Sequence, residues 1–108
     1  RDRYDFDSLV NEAERLVLAQ LEEQLDRLGA RDPRRPGPGP ARPGAPCACT
    51  DCVLDMAAYA LNRVRPSYRV SLVGTFSARP GHDPAYLREV AQAVREAIEK
   101  IRENPSHD

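Results

Sequence analysis

The chain has few of the large side chains that usually fill a protein core. Among its 108 residues there are no tryptophans, one methionine and two phenylalanines. A chain of this length forms one domain and buries a modest fraction of its surface. We therefore predict a single domain over residues 1–108, stabilised by a bound metal or a partner subunit. Long apolar runs are also missing: none approaches the ~20 residues of a membrane span, and we expect neither a membrane segment nor a signal peptide.

An excess of positive charge is missing as well. Sixteen basic and seventeen acidic residues leave a net charge of −1, which argues against a dedicated nucleic-acid-binding protein. Lys100 is the only lysine, so nearly all of the positive charge is arginine. A GC-rich genome accounts for this bias. The planar guanidinium group of arginine also binds phosphates and guanine edges well, however, so the composition does not exclude a nucleotide ligand.

Three stretches show the three-and-four spacing of apolar residues that predicts amphipathic helices. These helices are predicted over about residues 8–28, 51–64 and 84–103. Their predicted N-caps are, in order, Asp5 or Asp7, Thr50 or Asp51, and Asp83. Gly29 is expected to end the first helix, Pro66 to stop the second and Pro84 to open the third. The predicted apolar face of the second helix consists of Val53, Leu54, Ala57, Ala58, Leu61 and Val64, widened by Met56 and Ala60.

One extended segment is predicted over residues 67–76, where apolar and polar residues alternate. No second strand is apparent, and a lone strand has unpaired backbone groups. The nearest partner is the same strand of a second subunit, which predicts antiparallel pairing across a two-fold axis. The predicted fold class is therefore mainly α: three helices with one strand-like segment that pairs across a homodimer. A turn is predicted at 79–82.

Residues 29–46 are predicted to be a flexible loop. They hold six prolines and four glycines in eighteen positions, a composition that excludes a helix or a strand ladder. We interpret the segment as a tolerated insertion, with a motif for a proline-recognition domain as the alternative.

All three cysteines lie within six residues, at Cys47, Cys49 and Cys52. An odd number of cysteines in so tight a cluster is not typical of a disulfide framework. It is typical of metal binding in a reducing cytoplasm. Three thiolates from one short loop can hold zinc, which prefers four tetrahedral ligands. A structural zinc that holds the start of the second helix is our hypothesis. Free thiols, including a redox sensor, are the alternative.

The fourth zinc ligand is missing from the cysteine motif. The candidates are the two histidines, two nearby carboxylates, water and a partner chain; the residues concerned are His82, His107, Asp51 and Asp55. A zinc with an exchangeable fourth ligand makes catalysis conceivable, but no general base lies beside the motif. There is also no Gly-rich phosphate loop and no nucleophile–base pair with useful spacing. We therefore expect a protein that is not an enzyme and has no catalytic residues.

Several short motifs, taken in order, resemble the ComFB family of late competence development proteins. They are Asn11 with Glu14 (N-x-x-E), the C-x-C-x-x-C cluster of Cys47, Cys49 and Cys52, Asp55, the run from Ala58 to Asn62, and Pro66 with Tyr68. The resemblance covers roughly residues 8–75 apart from the proline-rich insert. The sequence departs from the family at Arg65, where family members have the first of two adjacent prolines. Asn11 and Glu14 are either solvated surface residues or groups that cap or orient the cysteine loop.

The resemblance implies a small, mostly helical homodimer with a zinc-type cysteine cluster. It also implies binding of cyclic di-GMP, a bacterial second messenger to which relatives have been linked. Such a ligand needs arginines for phosphates or guanine O6/N7, an aromatic or apolar surface for stacking and a carboxylate for guanine N1/N2. The candidate ligand-binding residues near the predicted helix–strand junction are Arg63, Arg65, Tyr68, Arg69 and Asp55. A favourable helix dipole at the end of the second helix explains Arg63 and Arg65 equally well. Tyr59 and Tyr68 are core residues in the alternative interpretation.

Two further functions stay open beside the receptor. One is a zinc-stabilised dimeric scaffold that binds no nucleotide and acts through a regulatory protein in competence, motility or cell-size control. Its support is the apolar stripe of the third helix and the unpaired strand. The other is a redox or metal sensor, which requires Cys49 for the response but not for the fold.

Overall fold

Three packed helices and a two-stranded sheet make up this computed structural model, which describes residues 3–32, 44–70 and 83–104. The mainly α fold class is therefore confirmed. In chain order the elements are a 3₁₀ turn (Phe6–Ser8), β1 (Leu9–Asn11), α1 (Glu12–Arg27), α2 (Thr50–Leu61), β2 (Tyr68–Val70) and α3 (Pro84–Glu103). None of the helices among these residues combines the length and the apolar character that crossing a membrane requires.

The core lies where α3 packs against both α1 and α2. Met56 of α2 is the largest fully buried side chain, and small residues such as Ala60 and Ala97 let the helices approach closely. Aliphatic side chains supply most of the rest: Val17, Leu21, Leu25, Val64, Val90, Val94 and Ile98. Small and aliphatic side chains between closely packed helices thus fill a core that has few large aromatic residues.

The first helix begins later than the sequence predicts. Residues 9–11 form β1, and α1 starts at Glu12 with Asn11 as its N-cap, whose Oδ1 accepts a hydrogen bond from the amide of Ala13 at 3.2 Å. The prediction that Asp5 or Asp7 caps this helix is wrong, because pairing with a distant strand overrides the helical spacing of Leu9 and Val10. The predicted end is confirmed: Gly29 has a φ of 73°, the left-handed conformation of a C′ residue.

The strand predicted at 67–76 has a partner in its own chain. β2 pairs with β1 in antiparallel register, with Val10 opposite Arg69 and Asn11 opposite Tyr68. The prediction that this strand stands alone is therefore wrong, because a three-residue strand was hidden in the helical pattern of residues 8–28. Pairing across a homodimer stays a prediction. The rest of the predicted strand and the turn at 79–82 lie outside the described residues.

α2 is rotated relative to its predicted apolar face. Cys52, Met56, Ala57 and Ala60 are buried, whereas Leu54 is 62% exposed and Ala58 is also exposed. This helix is apolar nearly all round, so spacing alone could not choose between overlapping faces. Its N-cap is a residue earlier than either predicted candidate, and it ends at Leu61 instead of about Val64.

α3 agrees with the prediction at both ends. Asp83 is its N-cap, with Oδ1 accepting a hydrogen bond from the amide of Ala85 at 3.0 Å, and Pro84 occupies the first turn. The buried stripe includes Val90, Val94 and Ile98, as the spacing predicts. Leu87 also fits the three-and-four spacing of this stripe, but it is 39% exposed because Tyr86 takes the buried position at this end.

The two ends of the proline-rich insert are held together. Arg31 forms a parallel β-bridge with Cys47, in which the amide of Ala48 donates to the carbonyl of Arg31 at 3.0 Å. The insert therefore leaves and re-enters the fold at one point, directly before the cysteine cluster. Residues 33–43, the central part of the predicted flexible loop, lie outside the described residues.

Candidate functional site

The three cysteines come together at the start of α2. Their Sγ atoms all lie within 4.8 Å of one another. Cys49 and Cys52 are buried, at 0% and 1% exposure, and Cys47 is partly exposed. The bridge to Arg31 fixes the extended segment that carries Cys47, while Cys49 is the N-cap of α2 and Cys52 lies in its first turn. The predicted metal-ligand set is thus one compact cluster, open to solvent on the side of Cys47.

Backbone amides point at the thiols of this cluster. The amide of Cys52 donates to Sγ of Cys49 at 3.5 Å, and the amide of Cys49 donates to Sγ of Cys47 at 3.4 Å. Cys49 is the N-cap of α2, so its sulfur receives the hydrogen bond that a serine or aspartate oxygen usually accepts. This backbone hydrogen bond holds the pKa of the Cys49 thiol below its ordinary value despite burial.

The cluster fits a thiolate-binding metal such as zinc. Two thiolates on one tetrahedral zinc lie about 3.8 Å apart when each Zn–S bond is ~2.3 Å. The three sulfurs already lie within 4.8 Å of one another, close to that spacing. Among the described residues no fourth histidine, cysteine or carboxylate joins the group. Asp51 and Asp55 are exposed on α2, and His82 and His107 lie outside the described residues.

A second site is an open groove of about 440 Å³ between the sheet and the first turns of α1. Its lining includes the aromatic residue Tyr68, the basic residues Arg15 and Arg69, and the acidic residues Glu12 and Glu14. Leu9, Val10, Asn11 and Leu18 complete its lining. Tyr68 is 65% exposed, so its ring is available to a ligand. The groove thus combines a stacking surface, positive charge and a carboxylate.

Glu12 is the buried charge beneath this groove. Its side chain is 3% exposed; one carboxylate oxygen accepts from Nε of Arg69 at 2.8 Å and the other from Nε of Arg15. The hydrogen bond from Arg15 is the main reason that the pKa of Glu12 lies below its ordinary value, and it outweighs the opposing effect of burial. Arg69 is 31% exposed and Arg15 59%. Both guanidinium groups are therefore oriented by Glu12 while part of each stays accessible.

The remaining predicted ligand-binding residues lie elsewhere. Arg65 pairs with Glu89 of α3, Nε to Oε1, at 2.8 Å, and Arg63 lies over the ring of Tyr59 at 4.4 Å from its centroid. Asp55 is exposed on α2. None of the three is among the lining residues of the groove. The structure thus brings together Tyr68 and Arg69 of the predicted set, and binding roles for Arg63, Arg65 and Asp55 stay predictions.

Four hydrogen bonds fix the junction between α2 and β2. The amide of Arg65 donates to Oε2 of Glu89 at 2.8 Å, and its carbonyl accepts from the Tyr86 hydroxyl at 2.6 Å. The amide of Ser67 donates to Oδ1 of Asn11 at 2.7 Å, and its carbonyl accepts from the amide of Glu12 at 2.8 Å. Asn11 therefore caps α1 and anchors this junction, rather than orienting the cysteine loop.

Sequence reasoning missed Arg15 and Glu12 as site residues. Both lie in the predicted first helix, where charges off the apolar stripe look like an ordinary solvated face. Glu14 was noted for the N-x-x-E motif but not for the groove, and it is exposed there. A buried glutamate beside a three-residue strand has no local sequence signal, because the burial comes from β2, more than fifty residues away.

Comparison with known proteins agrees with the motif analysis. The family model described as late competence development protein ComFB matches residues 10–105. The match spans the groove, the junction and the cysteine cluster, and it confirms the resemblance seen in the motifs. No curated protein and no solved structure matches the chain.

Proposed function

This chain belongs to the ComFB family, and from that premise we propose that it is a bacterial regulatory protein that binds cyclic di-GMP. We propose further that it acts as a homodimer in the cytoplasm, by binding rather than catalysis, with a structural zinc in its cysteine cluster. The observation that carries the nucleotide proposal is the groove in which Tyr68, Arg15 and Arg69 meet.

The chemistry of the groove matches the parts of a guanine nucleotide. The exposed ring of Tyr68 offers a stacking surface for a base. Arginine donates in a planar fork, which suits phosphate oxygens or guanine O6 and N7. Glu14 is exposed at the rim and can accept from guanine N1 and N2. Glu12 serves a different purpose: it holds both arginines in place before the ligand arrives.

Isothermal titration calorimetry with cyclic di-GMP tests this proposal, with GTP and cyclic di-AMP as controls. We expect selective, saturable binding with a Kd near micromolar, about −8 kcal/mol. Tyr68→Ala and Arg15→Ala should weaken it at least about tenfold, since each removes one charged or stacking contact. Arg88→Ala, an exposed arginine of α3 outside the groove, is the matched control and should bind normally. A folded protein that gives no heat with cyclic di-GMP would refute the receptor proposal.

Zinc in the cysteine cluster would be held by Cys47, Cys49 and Cys52. The ion would supply a cross-link between the segment after the insert and the first turn of α2. Such a cross-link would reinforce the β-bridge between Arg31 and Cys47, at which the insert rejoins the described part of the fold. Measurement of bound zinc in the purified protein, by elemental analysis, tests this part of the proposal separately from nucleotide binding.

The homodimer draws support from apolar side chains on the sheet. Leu9 and Val70 face each other in register on one face of the sheet and are 51% and 52% exposed. Pairing of β2 with its copy across a two-fold axis would extend the sheet and cover part of this face. Analytical ultracentrifugation of the wild type and of Val70→Lys tests it: the charge should shift the equilibrium toward monomer.

A second candidate function is a scaffold that works through another protein. The observation that favours it is the outer face of α2, where Leu54 is 62% exposed next to Ala58. Leu54→Glu separates the two functions: it should abolish the signalling phenotype of a scaffold while cyclic di-GMP binding stays unchanged. Loss of the phenotype with Tyr68→Ala alone would favour the receptor.

A further inference from the structure

The cysteine cluster borders a cavity of its own. This cavity has a volume of about 210 Å³ and is lined by Ala45, Pro46, Cys47, Cys52, Met56, Ile101 and Arg102. It is large enough for several water molecules or one small organic molecule. It lies between the segment that precedes the cluster and the last turns of α3. It does not belong to the nucleotide groove, whose lining residues are all different.

The cluster offers three ligands, whereas a thiolate-bound zinc takes four. Two of the three cysteines, Cys47 and Cys52, form part of the wall of the cavity. A small molecule in the cavity therefore lies beside two of the three cysteines. Among the described residues no histidine or carboxylate lines this space.

Of the lining residues that the structure describes, one is charged, Arg102. Its Nη1 pairs with Oε2 of Glu99 at 3.1 Å, a surface pair in which Glu99 is 59% exposed. Its Nη2 lies against the backbone of Gly44, where a Cβ would come within 3.4 Å of it. The guanidinium has five N–H donors, so the pairing with Glu99 leaves others for a ligand.

From this arrangement we propose that the cavity admits a small anionic ligand, a thiolate or a carboxylate, which supplies the fourth donor to the metal. Three thiolates on a divalent ion already sum to one negative charge. A fourth anionic donor therefore needs a cation beside it, and Arg102 is in that position. This inference rests on the structural zinc proposed above, and it adds that one of the four ligand positions exchanges with small molecules.

Cobalt substitution tests the proposal in the full chain. Cobalt(II) replaces zinc in tetrahedral thiolate sites, and its visible absorption reports the number and type of ligands. We expect the cobalt-loaded protein to change its spectrum saturably on addition of mercaptoacetate, and less strongly with acetate. Neutral imidazole should compete poorly. A neutral ligand that binds as well as the anions would overturn the anionic class.

Two variants locate the ligand in the cavity. Ala45→Leu fills the space and should abolish the response to mercaptoacetate while cobalt stays bound. Arg102→Ala should weaken mercaptoacetate about tenfold, the effect of one lost charge-assisted hydrogen bond, and Arg102→Lys should restore part of the affinity. Arg88→Ala is the control and should behave as wild type. These results together would support the proposal.

The experiment distinguishes failure of this inference from failure of the zinc proposal. A cobalt spectrum of four-coordinate thiolate type that ignores mercaptoacetate means that the chain itself supplies the fourth donor, and the inference is refuted while the metal site stands. In that case His82→Ala and His107→Ala identify the donor. If the cysteines bind no cobalt, the zinc proposal fails and this inference falls with it.

Discussion

Glu12 and Arg69 form the contact that joins the first helix to the second strand. The buried carboxylate accepts from Nε of Arg69 at 2.8 Å, across 57 positions of sequence. Because Arg15 occupies the other oxygen, one glutamate holds two arginines at the rim of the groove. The same contact therefore stabilises the fold and orients the proposed binding residues.

Replacing Glu12 should reduce stability more than replacing an exposed glutamate of the same helix. Glu12→Gln keeps the shape but removes the charge that both arginines need, and we expect a loss of about 2 kcal/mol in the free energy of unfolding. Glu22→Gln, on the exposed side of α1, should stay within about 0.5 kcal/mol of wild type. Urea denaturation measures both. Equal effects of the two substitutions would show that the buried ion pairs contribute no net stability.

Stability should fall in acid, in a pH range that two glutamates define. The hydrogen bond from Arg15 lowers the pKa of Glu12, and the hydrogen bond from the amide of Arg65 lowers that of Glu89. A carboxyl whose pKa is lower in the folded state contributes its full stability above the unfolded value, near 4.5. That contribution is lost as the pH falls through the lower folded value. Chemical denaturation between pH 7 and acid should therefore show a decline that Glu12→Gln makes shallower; an unchanged slope would contradict it.

Asn11 should stabilise the fold through two hydrogen bonds that its side-chain oxygen accepts. Asn11→Ala removes the cap of α1 and leaves the amide of Ser67 without its acceptor, so we expect a loss of about 1–2 kcal/mol. Asn11→Asp keeps an acceptor oxygen in the same place and should retain most of the stability. Thermal unfolding followed by circular dichroism compares the two. If aspartate destabilises as much as alanine, the role of the acceptor oxygen is disproved.

Tyr86 should stabilise the junction through its hydroxyl. Tyr86→Phe leaves the ring buried but removes the donor to the carbonyl of Arg65, 2.6 Å away. We expect a cost of about 1 kcal/mol and a lower urea midpoint without a change in the slope. Tyr68→Phe serves as the control because that residue is 65% exposed. A loss as large for Tyr68→Phe would show that the effect is not specific to the junction.

Cys49→Ser separates a structural metal from a redox sensor. Serine is a good N-cap, so the substitution preserves the start of α2 and removes only the thiolate. With a structural zinc we expect loss of bound metal, measured by elemental analysis, and a clearly lower Tm. Ala48→Ser, which adds a hydroxyl beside the cluster and removes no thiol, is the control. A variant that keeps its Tm but loses a response to oxidants would favour the sensor.

The sequence predicted an element correctly where apolar residues repeat at regular spacing and where capping residues or prolines mark both of its ends. α3 combines a long apolar stripe with Asp83 and Pro84, and its bounds were predicted correctly. β1 was missed because three residues are too few to show a period and because Leu9 and Val10 also fit a helix. The buried face of α2 was misplaced because an apolar surface surrounds most of that helix, so only tertiary packing decides which part is covered.

Of the two candidate sites, the sequence predicted the one formed by neighbouring residues and missed most of the one formed by distant residues. The cysteine cluster was predictable because its three ligands lie within six residues, and local spacing almost fixes their geometry. The groove was not, because Arg15 and Arg69 are brought together by a strand pairing between distant parts of the chain. Tyr68 and Arg69 were predicted from family motifs and chemistry. Their partner Glu12 became visible only when its burial was known.

The bridge between Arg31 and Cys47 also makes the insert a convenient place for engineering. Since the chain departs and returns at adjacent backbone positions, the cysteine cluster does not depend on how many residues lie between them. A fluorescent protein or an affinity tag placed within 33–43 would be carried at a fixed point near the cluster while leaving the three helices intact. Such a fusion would let the position of the protein be followed optically in living cells.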